Sequence, residues 1–239
     1  MKKRILFGCI GSLLISQAVN ATHGAFYFGA NGSRNFWHVT QKMGMDASKV
    51  ADPTPYNQDW GQTSKKMTAE LVGGVKASNG TVFGAIEGWY NPSSISVNTT
   101  NNDITFNTTI NNQWGARILA GVQHKEMTIY SILGLGKTKL TQNTSFPSGG
   151  VYDTLPGVSL LSTNGGSNEV TRTIGIGMSV IFTKDWDVNV EYQHISADNS
   201  TNLYDSIMTH LNIIGNQTTA ITSDTLNIGL KYHFKPFTF

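Results

Sequence analysis

Strict alternation near the end of the chain limits its fold more than any other feature. Every second residue from Leu226 to Phe234 is apolar or aromatic, so a β-strand there would have one apolar face. The residues on that face are Leu226, Ile228, Leu230, Tyr232 and Phe234. A soluble sheet turns such a face inward, whereas a membrane barrel turns it outward into lipid.

Similar alternating segments recur along the chain and predict an all-β protein with eight strands. The expected strands cover residues 25–33, 66–77, 81–91, 110–123, 127–139, 169–182, 186–197 and the terminal segment from 226. Ser78-Asn79-Gly80 separates the second strand from the third. Asn-Gly tolerates positive φ and is a strong hairpin signal.

The lengths of the connections distinguish a membrane barrel from a soluble sandwich. Short connections alternate with long ones, and the long ones cover residues 37–65, 92–109, 140–168 and 198–220. Bacterial outer-membrane barrels have this plan, with short periplasmic turns and long extracellular loops. The sequence therefore predicts a transmembrane antiparallel up-and-down β-barrel of eight strands with four long loops.

The N-terminus indicates export. Met1-Lys-Lys-Arg4 is followed by a short apolar stretch from Ile5 to Ile15 and by small residues ending at Ala21, as in a cleaved signal peptide. We expect residues 1–21 to be removed and residues 22–239 to form the barrel. Cys9 is the only cysteine, so the mature barrel would contain no disulfide.

The strand spacing, the Phe26-Tyr-Phe-Gly-Ala30 opening and the closing Phe234 resemble the OmpA-like and opacity-protein family of outer-membrane barrels. The resemblance implies a protein of the outer membrane of a Gram-negative bacterium. Its expected partners are outer-membrane lipid and lipopolysaccharide, the barrel-assembly machinery during insertion, and a host or cell-surface ligand at the loops. Neither nucleic acid nor a cofactor is expected.

The polar faces of the strands predict a charged lumen. The residues expected there are Glu70, Lys76, Glu87, Arg117, Asp187, Glu191 and Lys231. Opposite charges that pair across a narrow interior would plug it, because an eight-stranded barrel is filled by side chains. An ion or solute pathway is the alternative interpretation.

One pair of residues on the lipid face suggests chemistry. His194 and Ser196 lie two apart and so share a face with Tyr192. A His-x-Ser pair at this position resembles the outer-membrane lipid A deacylases, in which the histidine activates a serine against a lipid ester. Asp198 and Asp205 are candidates for the acidic group, and Ala197 departs from the asparagine of that family. Polar residues at the level of the lipid headgroups are the alternative interpretation.

The function predicted from these patterns is structural: a surface-exposed barrel acting as adhesin or surface antigen, without catalysis. The histidines are scattered and predict no metal site. A lipid A ester hydrolase, a small solute or ion channel, and a soluble lipocalin-like binder remain as alternatives.

Overall fold

The computed structural model describes residues 23–46, 56–101, 104–145, 163–203 and 214–238, nearly all of them in β-strands. The strands are β1 (His23–Asp46), β2 (Tyr56–Ser78), β3 (Val82–Asn91), β4 (Ile95–Asn101), β5 (Ile104–His124), β6 (Met127–Ser145), β7 (Thr163–Thr183), β8 (Trp186–Leu203), β9 (Ile214–His233) and β10 (Phe237–Thr238). The expected signal peptide, residues 1–21, lies outside the described residues. The described residues contain no helical segment that could span a bilayer.

Antiparallel pairing joins these strands into a closed ring. The order is β1-β2-β3-β5-β6-β7-β8-β9, and β9 pairs again with β1. Among the described strands, eight therefore form the ring, and closure removes the unpaired edges of an open sheet. β4 extends β3, since both strands pair with β5. The predicted all-β, antiparallel up-and-down barrel is confirmed.

Three tight connections lie at one end of the ring, which we call the turn end; the opposite end is the outer end. Asn79 accepts hydrogen bonds from the Thr81 and Val82 amides at 3.2 and 2.9 Å, and Gly80 has a φ of 89°. A left-handed residue of this kind favours glycine. The other two turns consist of Lys125-Glu126 and Lys184-Asp185.

The strands extend much further toward the outer end than the sequence predicts. β1 continues to Asp46 rather than ending near Ser33, and β9 begins at Ile214 rather than near Leu226. The β4–β5 hairpin lies within the predicted loop 92–109. The predicted strand ends were too short here. Asn- and Thr-rich segments lack the apolar period that identifies a strand in the sequence, although their backbones continue the pairing.

The two faces of the ring have opposite character. Outward side chains are apolar and exposed, with Ile176 at 65% and Ile228 at 58%, whereas Glu87 and Glu191 inside are at 0%. We call the outward apolar surface the apolar band. It covers residues 127–135 on β6 and 226–234 on β9, about the 9–11 residues that a tilted strand needs to cross a bilayer.

The outer end divides into two four-stranded sheets. Pairing between β2 and β3 stops at Leu71 and Tyr90, and pairing between β7 and β8 stops at Arg172 and Ser196. Beyond these points β8-β9-β1-β2 remain paired as one sheet and β4-β5-β6-β7 as another. The wall is therefore continuous only at the level of the apolar band.

A buried apolar cluster lies between the two outer sheets. Its members are Trp37 and Val39 of β1, Ile221 of β9, Ile95 and Val97 of β4, Ile110 of β5 and Leu140 of β6. We call these residues the outer core. Burying apolar surface stabilises such a cluster by about 25 cal/mol per Å². The outer sheets therefore have an apolar core of their own, separate from the polar lumen.

The tail after β9 pairs with the beginning of β1. Phe237 and Thr238 lie opposite Gly24 and His23, and the rings of Phe237 and Phe26 lie 5.5 Å apart. The Phe234 amide donates to the Phe26 carbonyl at 2.9 Å. The last residues therefore join β1 instead of lengthening β9.

Candidate functional sites in the lumen and at the outer rim

The centre of the lumen holds an ion cluster around Arg117 of β5, whose side chain is 1% exposed. Its Nε donates to Glu87 of β3, the residue directly opposite in the register. Its Nη2 lies 3.1 Å from Glu70 Oε1 and 3.4 Å from Glu191 Oε2. Strands on several sides of the ring thus converge on one guanidinium.

Lys231 of β9 supplies the second cation of this cluster. Its Nζ donates to Glu87 Oε2 at 2.8 Å and lies 3.6 Å from Glu191 Oε1. Tyr130 donates to Glu191 at 2.8 Å, and Asn31 donates to Glu70 at 2.9 Å. Each buried carboxylate therefore contacts at least one cation and one further partner, which is either a second cation or a neutral donor. These contacts offset the cost of removing the carboxylate from water.

Glycines on the inner face make room for these side chains. A Cβ at position 177 would overlap the Tyr130 ring. The ring could then reach Glu191 only if it moved, so a side chain at this position is incompatible with the observed cluster.

A small cavity lies between the ion cluster and the turn end. Its volume is about 30 Å³, and it is lined by Tyr27, Lys76, Asp187 and His233, among others. That volume holds one or two water molecules. The Tyr27 hydroxyl and Asp187 Oδ1 have no hydrogen-bond partner among the described residues and could be solvated there.

The structure brings together five of the seven residues predicted for the lumen: Glu70, Glu87, Arg117, Glu191 and Lys231. The other two lie nearer the turn end. Lys76 donates to Gln123 at 3.1 Å, and Asp187 contacts His233 Nε2 at 2.7 Å. The arrangement can fill the lumen and brace opposite walls.

His194 and Ser196 lie on the outward face of β8, just beyond the outer limit of the apolar band. His194 Nδ1 contacts Asp224 Oδ1 of β9 at 2.9 Å, and the Tyr192 hydroxyl donates to the same oxygen at 2.8 Å. Hydrogen bonding by His194, and then by Tyr192, holds the pKa of Asp224 below its ordinary value. With Nδ1 occupied, Nε2 is the ring atom that can face a hydroxyl group.

Asp224 was not among the acidic residues considered from the sequence. Asp205 lies outside the described residues, as does the side chain of Asp198. Asp224 is directly opposite His194 in the β8–β9 register, and a register between strands thirty residues apart cannot be read from the sequence alone.

The five residues predicted as the insertion signal lie on the outward face of β9 and at its end. Leu226, Ile228, Leu230 and Phe234 are exposed. The Tyr232 ring packs between those of Trp186 and Phe234, with centroids 5.1 and 5.3 Å away. These aromatics form a group at the turn-end limit of the apolar band, where membrane barrels have an interfacial girdle.

No family model matches this chain, and no curated protein matches it. It is similar to the crystal structure of Ail, the attachment invasion locus protein of Yersinia pestis, at 12% identity and a TM-score of 0.42, covering 90% of this chain and 99% of that one. It is also similar to Neisserial surface protein A, at 12% identity and 0.39, covering 87% and 97%. The outer membrane protease OmpT of Escherichia coli matches at 8% identity and 0.41, covering 90% and 97%. Likenesses this distant carry no argument about function.

Proposed function

We propose that this chain is an integral outer-membrane protein of a Gram-negative bacterium that acts at the cell surface as a structural and adhesive barrel. The main support is the distribution of side chains, which is the reverse of that in a soluble protein. A closed sheet exposes Ile176 and Ile228 on the outside and buries Arg117 and Glu191 inside. Water would oppose that arrangement, whereas hydrocarbon favours it.

The wall supports membrane insertion in a second way. At the level of the apolar band the ring is closed, so each strand pairs its backbone groups with two neighbouring strands. Such internal pairing is a condition for crossing hydrocarbon. The outward-facing end of β9, from Leu226 to Phe234, would serve as the signal read by the barrel-assembly machinery.

The outer end is the part available to other molecules. Its two sheets and their connections are rich in Asn, Thr, Ser and Gly, which suits hydrated contacts with a host or cell-surface ligand. Such an adhesive or antigenic role requires no catalytic step.

Protease treatment of intact cells, followed by electrophoresis without boiling, tests the proposal. We expect a membrane-bound, compact band that shifts on heating, because a closed barrel resists detergent until heated. Cleavage should occur within residues 47–55 and 146–162, which connect strands at the outer end. Recovery in the aqueous extract, or cleavage at Lys125 and Lys184 in intact cells, would contradict it.

Ester hydrolysis on an outer-leaflet lipid is a second candidate, favoured by the contact between His194 and Asp224. Asp224 would orient the imidazole through Nδ1, and Nε2 would take the Ser196 proton as the hydroxyl oxygen attacks an ester carbonyl carbon. The alcohol would leave with that proton, and water would then release the fatty acid from the acyl-serine.

Lipid A from cells overproducing the protein distinguishes this candidate from a purely structural role. His194→Ala and Ser196→Ala should each abolish the release of fatty acid while preserving the compact band. Thr222→Ala is the matched control, since Thr222 lies opposite Ser196 in the register and takes no part in the scheme. Lipid A that is unchanged by the wild-type protein would exclude hydrolysis.

A further inference from the structure

Basic residues follow the apolar band where it ends toward the outer end. On β1 the outward series reaches Arg34 after Gly32, and on β2 it reaches Lys65 after Met67. On β6 and β7 the outward residues after Leu135 and Ile174 are Lys137 and Arg172. We call Arg34, Lys65, Lys137 and Arg172, all exposed, the outer basic belt.

The belt consists of two pairs. Lys65 lies opposite Phe36, two residues from Arg34, and Arg172 lies opposite Leu135, two residues from Lys137. Side chains in this diagonal relation lie about 7–8 Å apart at their backbones and can contact one ligand. Because β1–β2 and β6–β7 are separated by two strands on either side of the ring, the pairs lie on opposite walls.

The belt is not neutralised by the protein. Among the described side chains, no carboxylate forms an ion pair with any of its four members. Asp224, the nearest outward acid on β9, is occupied by His194 and Tyr192. At the turn end, by contrast, Lys125-Glu126 and Lys184-Asp185 place opposite charges side by side.

Aromatic rings support each pair. Arg34 and Lys65 lie 5.4 and 5.9 Å from the centroid of Phe36, and Lys137 lies 5.8 Å from that of Trp114. A cation over a ring face keeps its N–H donors available for an anion. A guanidinium beside an ammonium suits the several oxygens of a phosphate group.

We propose that each pair of the outer basic belt binds the phosphate group of an acylated lipid, whose chains lie along the apolar band below it. This inference rests on the proposed membrane location. The belt faces sideways, immediately beyond the apolar surface, which is the depth of a lipid headgroup and favours a lipid over a soluble polyanion.

Native mass spectrometry of the full barrel in uncharged detergent tests the inference with two probe lipids, dioleoyl phosphatidic acid and dioleoyl phosphatidylcholine. The acyl chains are identical, so a difference reports the headgroup. We expect phosphatidic acid to be retained preferentially, at up to two molecules per barrel. Arg34→Gln/Lys65→Gln and Lys137→Gln/Arg172→Gln should each weaken one site about tenfold.

Lys125→Gln/Lys184→Gln is the matched control, because it removes two cations at the turn end and should leave lipid retention unchanged. Equal retention of the two lipids, or equal losses in the control and in the belt variants, would overturn the inference. A sulfated oligosaccharide that displaces phosphatidic acid, and that binds the wild type equally well when no lipid is present, would also overturn the inference. A barrel that inserts into membranes yet shows no headgroup preference refutes only this inference, whereas one found in the aqueous extract refutes the membrane location.

Discussion

Arg117 shows how a single side chain can hold opposite walls of the ring together. It touches Glu70, Glu87 and Glu191 from three other strands. Arg117→Met would leave these carboxylates with Lys231 as the only other cation of the cluster. We expect a loss of about 3–5 kcal/mol in the free energy of unfolding, measured by urea titration of the barrel in vesicles.

Lys184→Met provides the comparison for that measurement, because Lys184 is exposed in the turn between β7 and β8, lies outside the outer basic belt, and should change stability by less than about 0.5 kcal/mol. Similar stabilities for the two variants would show that the ion cluster does not brace the lumen.

Asp224 provides a pH-dependent prediction. Hydrogen bonds from His194 and Tyr192 hold its pKa below the ordinary value, so its contribution to stability is present above that ordinary pKa. The contribution is lost as the pH falls through the lowered pKa. A carbon NMR titration of the carboxyl group should show the pKa rising in His194→Ala and rising less in Tyr192→Phe. An unchanged pKa in His194→Ala would contradict the contact.

The face on which a residue lies could be predicted from the sequence, but its partners could not. A period of two assigns Arg117 and Glu191 to one face and Ile118 and Val190 to the other, and the structure has them so. The pairing of His194 with Asp224 depends on the register between β8 and β9, which the pattern of either strand alone does not fix.

Among the strands, the outer parts of β4 and β5 depend on the outer core. Ile110 is fully buried there, and Ile110→Ala should cost about 2–5 kcal/mol locally. Because backbone pairing between β2 and β3 ends at Leu71, the loss should remain at the outer end. Hydrogen exchange should accelerate at the amides of Val97 and its neighbours and not at Ile118.

Asn98→Ala is the control for this experiment, since Asn98 is exposed on the same hairpin. Acceleration throughout the ring in Ile110→Ala would mean that the outer sheets and the band-level wall unfold as one unit.

The outer sheets were the part of the fold that sequence patterns missed. Trp37, Val39, Ile95 and Val97 stand among polar residues in segments read as loops, and they are too few to establish a period by themselves. Each becomes part of the outer core only when β1 and β4 face one another across the ring. The parts of the strands within the apolar band have longer apolar series. For these parts the sequence correctly predicted both the position of each strand and which side chains point outward.

At the scale of the whole molecule, the filled lumen predicts that the barrel does not conduct ions. Arg117, Glu87 and Glu191 are buried at its centre. The cavity between them and the turn end has a volume of about 30 Å³, which is room for about two water molecules. Purified barrel in a planar bilayer should therefore show no discrete conductance steps. Reproducible steps from the wild type would support the channel alternative.

The separation of the outer core from the ion cluster also bears on how this surface could diversify over generations. Among the described residues, side chains on the hydrated faces of the two outer sheets do not contact Arg117 in the lumen or the outer core around Ile110. Substitutions on these faces therefore leave both clusters unchanged. Sequence variation in this proposed surface region can thus accumulate without destabilising the band-level wall below it.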